Sequence, residues 1–249
     1  MQIKIVILYL FVSIISLYAS TINIAVAANV SYAIKDIKDS FEKKYPNIKV
    51  NIILGGSGSL TAKITHNAPY DIFMSANMLY PNHLHKHNYA ITQPKVYARG
   101  GLALLTTKDI DITNGLKSIL NSKIKKVAIA NPKTAPYGVA TIEALKKIAI
   151  YDNIKDKIIF AESISQTLSY TLKACDIGIV AKSLLYSSQL KYLVENKNWI
   201  SIDERLCKPI NQGVVILKRA KNNDNVVKFY NFLFTQTTKN ILLNYGYHY

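Results

Sequence analysis

Cysteine is nearly absent from this 249-residue chain: only Cys175 and Cys207 occur, and no C-x-x-C joins them. That removes redox dithiol catalysis. An oxidising compartment would permit one bridge between them, but spacing alone does not bring them into bonding reach. Acidic residues are also scarce, 15 against 31 Lys and Arg, leaving a formal charge of +16. A basic excess favours acidic partners. The lysines are nevertheless dispersed, as at Lys43–Lys44, Lys125–Lys126 and Lys146–Lys147. No dense basic run with interleaved aromatics marks a nucleic-acid groove, so no nucleic-acid partner is expected. The reading is a solvated basic surface that raises the on-rate of an anion. The chain shows no low-complexity segment, short repeat or long linker. It also shows no Ser/His/Asp set, no paired carboxylates in one turn and no zinc signature, so no catalytic residue is nominated and an enzyme is not expected.

The N-terminus carries Lys4, an apolar run over 5–17, and Ala19 before a polar Ser20 and Thr21. A basic start, a short apolar core and a small residue at the cut are the layout of a secretory signal. We expect residues 1–20 to be removed and the chain to be exported. The run is shorter than the roughly 20 apolar residues of a membrane span, and no later segment reaches that length. No Cys follows it, which speaks against a lipoprotein anchor.

Residues 21–28 read as a buried strand, 32–45 as a helix with Ile34, Ile37 and Phe41 on one face, and 49–54 as a strand. Glycines and serines at 55–59 form a turn that opens a helix over 60–66, followed by a strand at 71–75. A second block repeats the logic: strands at 101–106, 126–130, 158–161 and 177–181, with helices at 139–150 and 165–173. Residues 213–217 give a last strand and 225–243 are largely helical. Alternating strands and helices imply parallel sheets with crossover helices. Two such blocks without a flexible linker imply a chain that crosses between lobes more than once.

Four strand-to-helix turns carry hydrogen-bond donors: 28–31, 55–59, 131–138 and 163–165. Gly55–Ser59 lacks the Gly-Lys-Ser/Thr ending of a P-loop. It also lacks the second glycine of a Gly-x-Ser-x-Gly nucleophile elbow. What remains is a helix N-terminus that offers N–H groups and hydroxyls to an anion, or an ordinary capped turn. Asn29 can donate from its amide or serve as a plain N-cap. In parallel αβ sheets, ligands bind at the carboxyl ends of strands, where these turns lie. His83, His85 and His87 alternate in PNHLHKHN and read as a surface feature rather than a metal site.

At these turns the sequence resembles the periplasmic molybdate-binding proteins of bacterial ABC transporters, the ModA family. The segments AVAANVSYAI, GGSGSLTAKI, APYDIFMSAN, AIANPKTAPYG, AESISQTL and DIGIVAKS carry the likeness, in the family's order. The resemblance implies an α/β, two-lobed periplasmic binding protein fold of type II. Each lobe would hold a mixed, mostly parallel sheet flanked by helices, with crossing hinge strands. The implied lobes are 21–98 plus 212–249, and 99–211. The implied ligand contacts are Ala28, Asn29 and Ser57 from the first lobe, and Tyr137 and Ile164 from the second. Some family members place a ligand-binding Tyr where Ala181 stands here, so Tyr137 is expected to supply the phenol. The ligand would be molybdate or tungstate, with no cofactor and no further metal. The partner would be a membrane permease and the binding protein a monomer in the periplasm. Binding of another oxyanion such as sulfate or phosphate, a periplasmic oxyanion sensor, and a hydrolase using Ser57 are the alternatives. A cleft of neutral donors suits a fully ionised oxyanion, which can only accept hydrogen bonds, and disfavours protonated anions that must donate.

Overall fold

The computed structural model describes residues 20–249. The signal-peptide reading therefore lies outside the described residues, apart from Ser20, which opens the first strand.

Two five-stranded sheets form the frame. The first is built from β1 (Ser20–Ala27), β2 (Ile48–Gly55), β3 (Ile72–Ser75), β4 (Lys95–Gly100) and β10 (Ile210–Ile216). The second holds β5 (Leu102–Leu105), β6 (Val127–Ala130), β7 (Ile158–Ala161), β8 (Ile177–Ala181) and β9 (Trp199–Ser201). Their orders are β2-β1-β3-β10-β4 and β7-β6-β8-β5-β9. In each, three strands run parallel and one antiparallel strand joins them to the fifth: β10 between β3 and β4, β5 between β8 and β9. Each lobe thus holds the mixed, mostly parallel sheet that the family likeness implies, with the antiparallel strand added to the parallel block that strand–helix alternation suggests. The reason is connectivity, since the chain enters each antiparallel strand from the other sheet. β4 passes into β5 through Gly100 and Gly101, and residues 202–209 lead from β9 back to β10.

Helices cover the sheet faces by burying one stripe each. In α1 (Ala33–Lys44), Ile34, Ile37 and Phe41 are buried while Lys43 and Lys44 complement the negative end of its dipole. Phe41 packs edge-on against Phe229 of α8 (Asp224–Phe232), with ring centroids 5.0 Å apart. α2 (Ser57–Thr65) and α3 (Leu79–Lys86) cover the opposite face with Leu60, Ile64 and Leu84. In the second half, α4 (Pro136–Lys147) starts with proline at its first position, where no N–H is needed. α5 (Tyr151–Ile154) follows. α6 (Ile164–Lys173) is capped by Ser163, whose side chain accepts from Gln166 N–H at 3.2 Å. α7 (Lys182–Leu185) and α9 (Gln236–Asn244) complete the set, Thr235 capping the latter. Ala27, Ala28 and Ala76 from the first half belong to the same buried cluster as Ile129, Leu168 and Val180 of the second. The two halves therefore share apolar surface at the cleft.

Candidate functional site

The site is built where β1 ends. Ala28, Asn29 and Val30 form a buried single-turn helix immediately after the strand. Its carbonyls are held from outside. Ser165 Oγ donates to Ala28 O at 2.9 Å, and Ser183 Oγ and Tyr247 Oη each donate to Asn29 O at 2.9 Å. Asn29 Nδ2 lies 2.8 Å from Gln212 Oε1, 2.8 Å from Tyr247 Oη and 3.4 Å from Tyr137 Oη. An amide nitrogen carries two hydrogens, and the two short contacts take both. The sequence suggests an amide facing a ligand; the structure instead ties it to β10 and the C-terminal tail. Nor is Asn29 an N-cap, since α1 begins at Ala33 with no side-chain cap. Its backbone N–H lies in the first turn of the short helix at 28–30, where such groups have no partner within the helix.

Ser57 is the first residue of α2, three positions earlier than the glycines suggest, and only Gly56 separates it from β2. Its side chain is buried, and Oγ accepts the N–H of Ala76 at 3.0 Å. Accepting there leaves the hydroxyl hydrogen without an acceptor among the described residues. Gly56 allows the halves to meet: a Cβ on it would stand 3.2 Å from Thr134 O and 3.3 Å from Glu162 O. Beside it, Gly58 N–H donates to Thr134 O across the cleft at 2.9 Å.

From the second half, Tyr137 occupies the first turn of α4 and Ile164 opens α6. The N–H groups at such positions have no partner within the helix. Tyr137 is buried, and its hydroxyl oxygen lies 3.4 Å from Asn29 Nδ2, beside the Ser183 hydroxyl. Its phenol depends on a close approach, since a Cβ on Gly100 would lie 2.1 Å from Tyr137 Oη. Burial, then the neighbouring phenols of Tyr247 and Tyr97, push its pKa well above the usual value. Tyr247 is raised likewise by burial. Both are therefore neutral donors near pH 7.

Ala28, Asn29, Ser57, Tyr137 and Ile164 all line one small cavity, of about 10 Å³, between the halves. The rest of its lining is Ala27, Gly55, Gly56, Ala76, Ala135 and Pro136. No charged side chain enters it, although the chain carries +16 overall. A small chamber of uncharged donors, lying at the N-termini of α2, α4 and α6, suits a compact anion. Gln212, Ser183, Gly100 and Tyr247 escaped the sequence reading, because they reach Asn29 and Tyr137 from distant segments. The bulge between Gln212 and Gly213 was the one local irregularity near them, and it is visible only in the pairing of β10 with β4.

The other candidates stay apart from this cavity. His83 and His87 are exposed on and just after α3, their ring centroids 4.2 Å apart. Among the described residues, no group of three or more His, Cys, Asp or Glu is placed to hold a metal ion. Cys175 is buried and Cys207 half-buried, and both thiols are free. No described helix is long and apolar enough to cross a membrane.

Two mixed sheets, two crossings and a closed cleft define a two-lobed solute-binding protein of the type II periplasmic class. The chain belongs to the bacterial extracellular solute-binding protein family, whose model matches residues 22–248, and within it to the ModA family of molybdate-binding proteins. It is 30% identical to the molybdate-binding protein ModA of Rhodobacter capsulatus, over 92% of this chain and 88% of that protein. The ModA of Azotobacter vinelandii is also 30% identical, over 92% of this chain and 90% of its own length. A solved Azotobacter vinelandii periplasmic molybdate-binding protein superposes with a TM-score of 0.85 at 27% identity, covering 92% of this chain and 99% of that one.

Proposed function

We propose that this chain is the periplasmic binding component of an ABC transporter, which captures molybdate, and tungstate with it, and delivers the anion to a membrane permease. It acts as a monomer, without a cofactor and without catalysis. The observation that carries the reading is the charge-free cavity between the halves, lined by Ala28, Asn29, Ser57, Tyr137 and Ile164. The printed names of the relatives point to the same ligand.

In this reading the anion accepts from the Ser57 and Tyr137 hydroxyls and from the N–H groups of Asn29, Ser57, Tyr137 and Ile164. Ala28 contributes wall rather than a side-chain donor. Acceptance by Ser57 Oγ from Ala76 turns the serine into a dedicated donor. A chamber that no charged side chain enters, set at three helix N-termini, suits an anion that accepts hydrogen bonds at every oxygen. The lobes are residues 21–98 with 212–249, and 99–211; β4 runs on to Gly100 and β10 starts at Ile210, so each boundary falls within a crossing strand. Closure of the lobes is the signal that the permease reads.

Calorimetric titration with molybdate, tungstate, sulfate and phosphate tests the reading. Tight binding of the first two and none of the others is expected. Preference for sulfate or phosphate would transfer the protein to another oxyanion, and turnover of an ester would favour the hydrolase.

A further inference from the structure

The Ala28–Asn29 turn is gripped more heavily than the fold requires. Its carbonyls receive three hydroxyls. Ser165, on α6, and Ser183, on α7, come from the second half. Tyr247 comes from the C-terminal tail, which stays with the first half through pairing of His248 with Arg99 of β4. The origins of the hydroxyls matter. Tyr247 can hold the turn whether the cleft is open or closed. Ser165 and Ser183 can reach it only when the halves meet.

We propose that Ser165 and Ser183 are positioning residues for the bound anion, forming a closure latch that governs how long the ligand stays. The inference rests on the oxyanion-binding reading above. Two effects follow from their placement. First, the Ser165 hydroxyl sits on the carbonyl of the peptide unit whose N–H belongs to Asn29. A hydrogen bond at one end of a peptide polarises the other, so this contact strengthens Asn29 N–H as a donor to an anion. Second, release of the anion requires opening, and opening strips both serine contacts from the turn. Neither serine is needed for the first encounter with the ligand. Their loss therefore accelerates dissociation and leaves association unchanged, whereas Tyr247 shapes the turn in both states and affects both rates.

Stopped-flow kinetics with molybdate, read by the intrinsic fluorescence of the protein, separates these outcomes. Ser165→Ala and Ser183→Ala should each raise the dissociation rate about 3- to 10-fold, the worth of one neutral hydrogen bond, at an unchanged association rate. Ser165→Thr and Ser183→Thr keep a hydroxyl and should restore most of the residence time. Melting of the ligand-free variants should match the parent. Wild-type dissociation in both alanine variants, or a loss confined to association, overturns the latch. If the parent itself binds none of molybdate, tungstate, sulfate and phosphate, the oxyanion reading fails instead. The latch then stands or falls on X-ray scattering of the ligand-free protein. The Ser165→Ala, Ser183→Ala double variant should populate a more open form, and identical scattering overturns it.

Discussion

The two halves share one strand order and one mixture of parallel and antiparallel pairing, yet they meet the cleft with different chemistry. The first half presents a strand-end turn with its carbonyls outward and a serine at a helix start. The second presents hydroxyls that reach those carbonyls, and the first turns of two helices. Across the cleft, the second half donates through the hydroxyls of Ser165 and Ser183, while the first donates through the Gly58 N–H to Thr134 and a long 3.4 Å contact from the Asn29 amide to Tyr137. A repeated scaffold thus does not imply a repeated site. Sheet topology fixes where strand ends converge, and individual side chains decide which end donates and which accepts.

The largest effect, on stability and affinity together, is expected where this asymmetry depends on an absent side chain. Gly100→Ala would place a methyl 2.1 Å from Tyr137 Oη and 3.1 Å from Gln212 Nε2. Overpacking of this kind costs about 1–3 kcal/mol, and Tyr137 must also leave its place. Molybdate affinity should fall on the order of 100-fold, with a lower melting temperature. Calorimetry and thermal melting measure both, and a parent-like result would mean the crossing strand can shift freely.

Next comes the first half's own donor. Ser57→Ala removes a hydroxyl whose lone pair is already engaged by Ala76 N–H, and it leaves that N–H unpaired. Binding should weaken by about 1.5–3 kcal/mol, on the order of 10- to 150-fold. Unchanged affinity would take Ser57 out of the site.

The corresponding second-half test is Tyr137→Phe. Its contact to Asn29 is long at 3.4 Å, so little is lost within the protein, and the effect falls on the anion. Affinity should drop by about 1.5 kcal/mol, with a smaller ligand-induced compaction in X-ray scattering. A variant that binds and compacts like the parent would make this phenol a packing residue only.

Acid should separate the halves by stability. Asp176, in the second half, accepts from Lys125 and Lys126 N–H at 2.7 and 2.8 Å and pairs with Lys108. Despite burial, the Lys108 ammonium and these N–H groups hold its pKa at about 2, below the ordinary 3.8. A depressed folded pKa gives stability that is present above the unfolded value and lost as pH falls through the folded one. Melting temperature should therefore decline between about pH 4 and pH 2, and Asp176→Asn should be less stable at pH 7 with a shallower decline. An identical acid profile in the variant would refute this role.

The smallest effect concerns the thiols. Burial raises Cys207 to about 11, so it should react slowly with thiol reagents at pH 8, and Cys207→Ser should leave binding unchanged. Intact mass after mild oxidation should still show two free thiols; a two-hydrogen loss would mean a bridge had formed.

Much of the fold was legible because its strands are short, apolar and bounded by breakers. β7 and β8 occupy the residues that their sequence suggests. β4 was not legible: in KVYARG, Val96 is exposed and charges stand near both ends, so only its pairing with β10 makes it a strand. β9 is three residues long, too short for any period to show. The helix at Ser57 was hidden because two glycines beside it read as a turn. The four turns of the site could be found from donors at strand ends. Their joining into one cavity came with the family likeness, and the Asn29 network lay beyond both.

By itself, the sequence determined the alternation of strands and helices, the shortage of acidic groups and the donor-bearing turns, because each follows from local period and composition. Only the tertiary structure decided strand direction, the start of α2 and the partners of Asn29. Those depend on contacts over long separations: Tyr247 meets Asn29 across 218 positions, and no local pattern encodes which amide hydrogen a distant phenol will take.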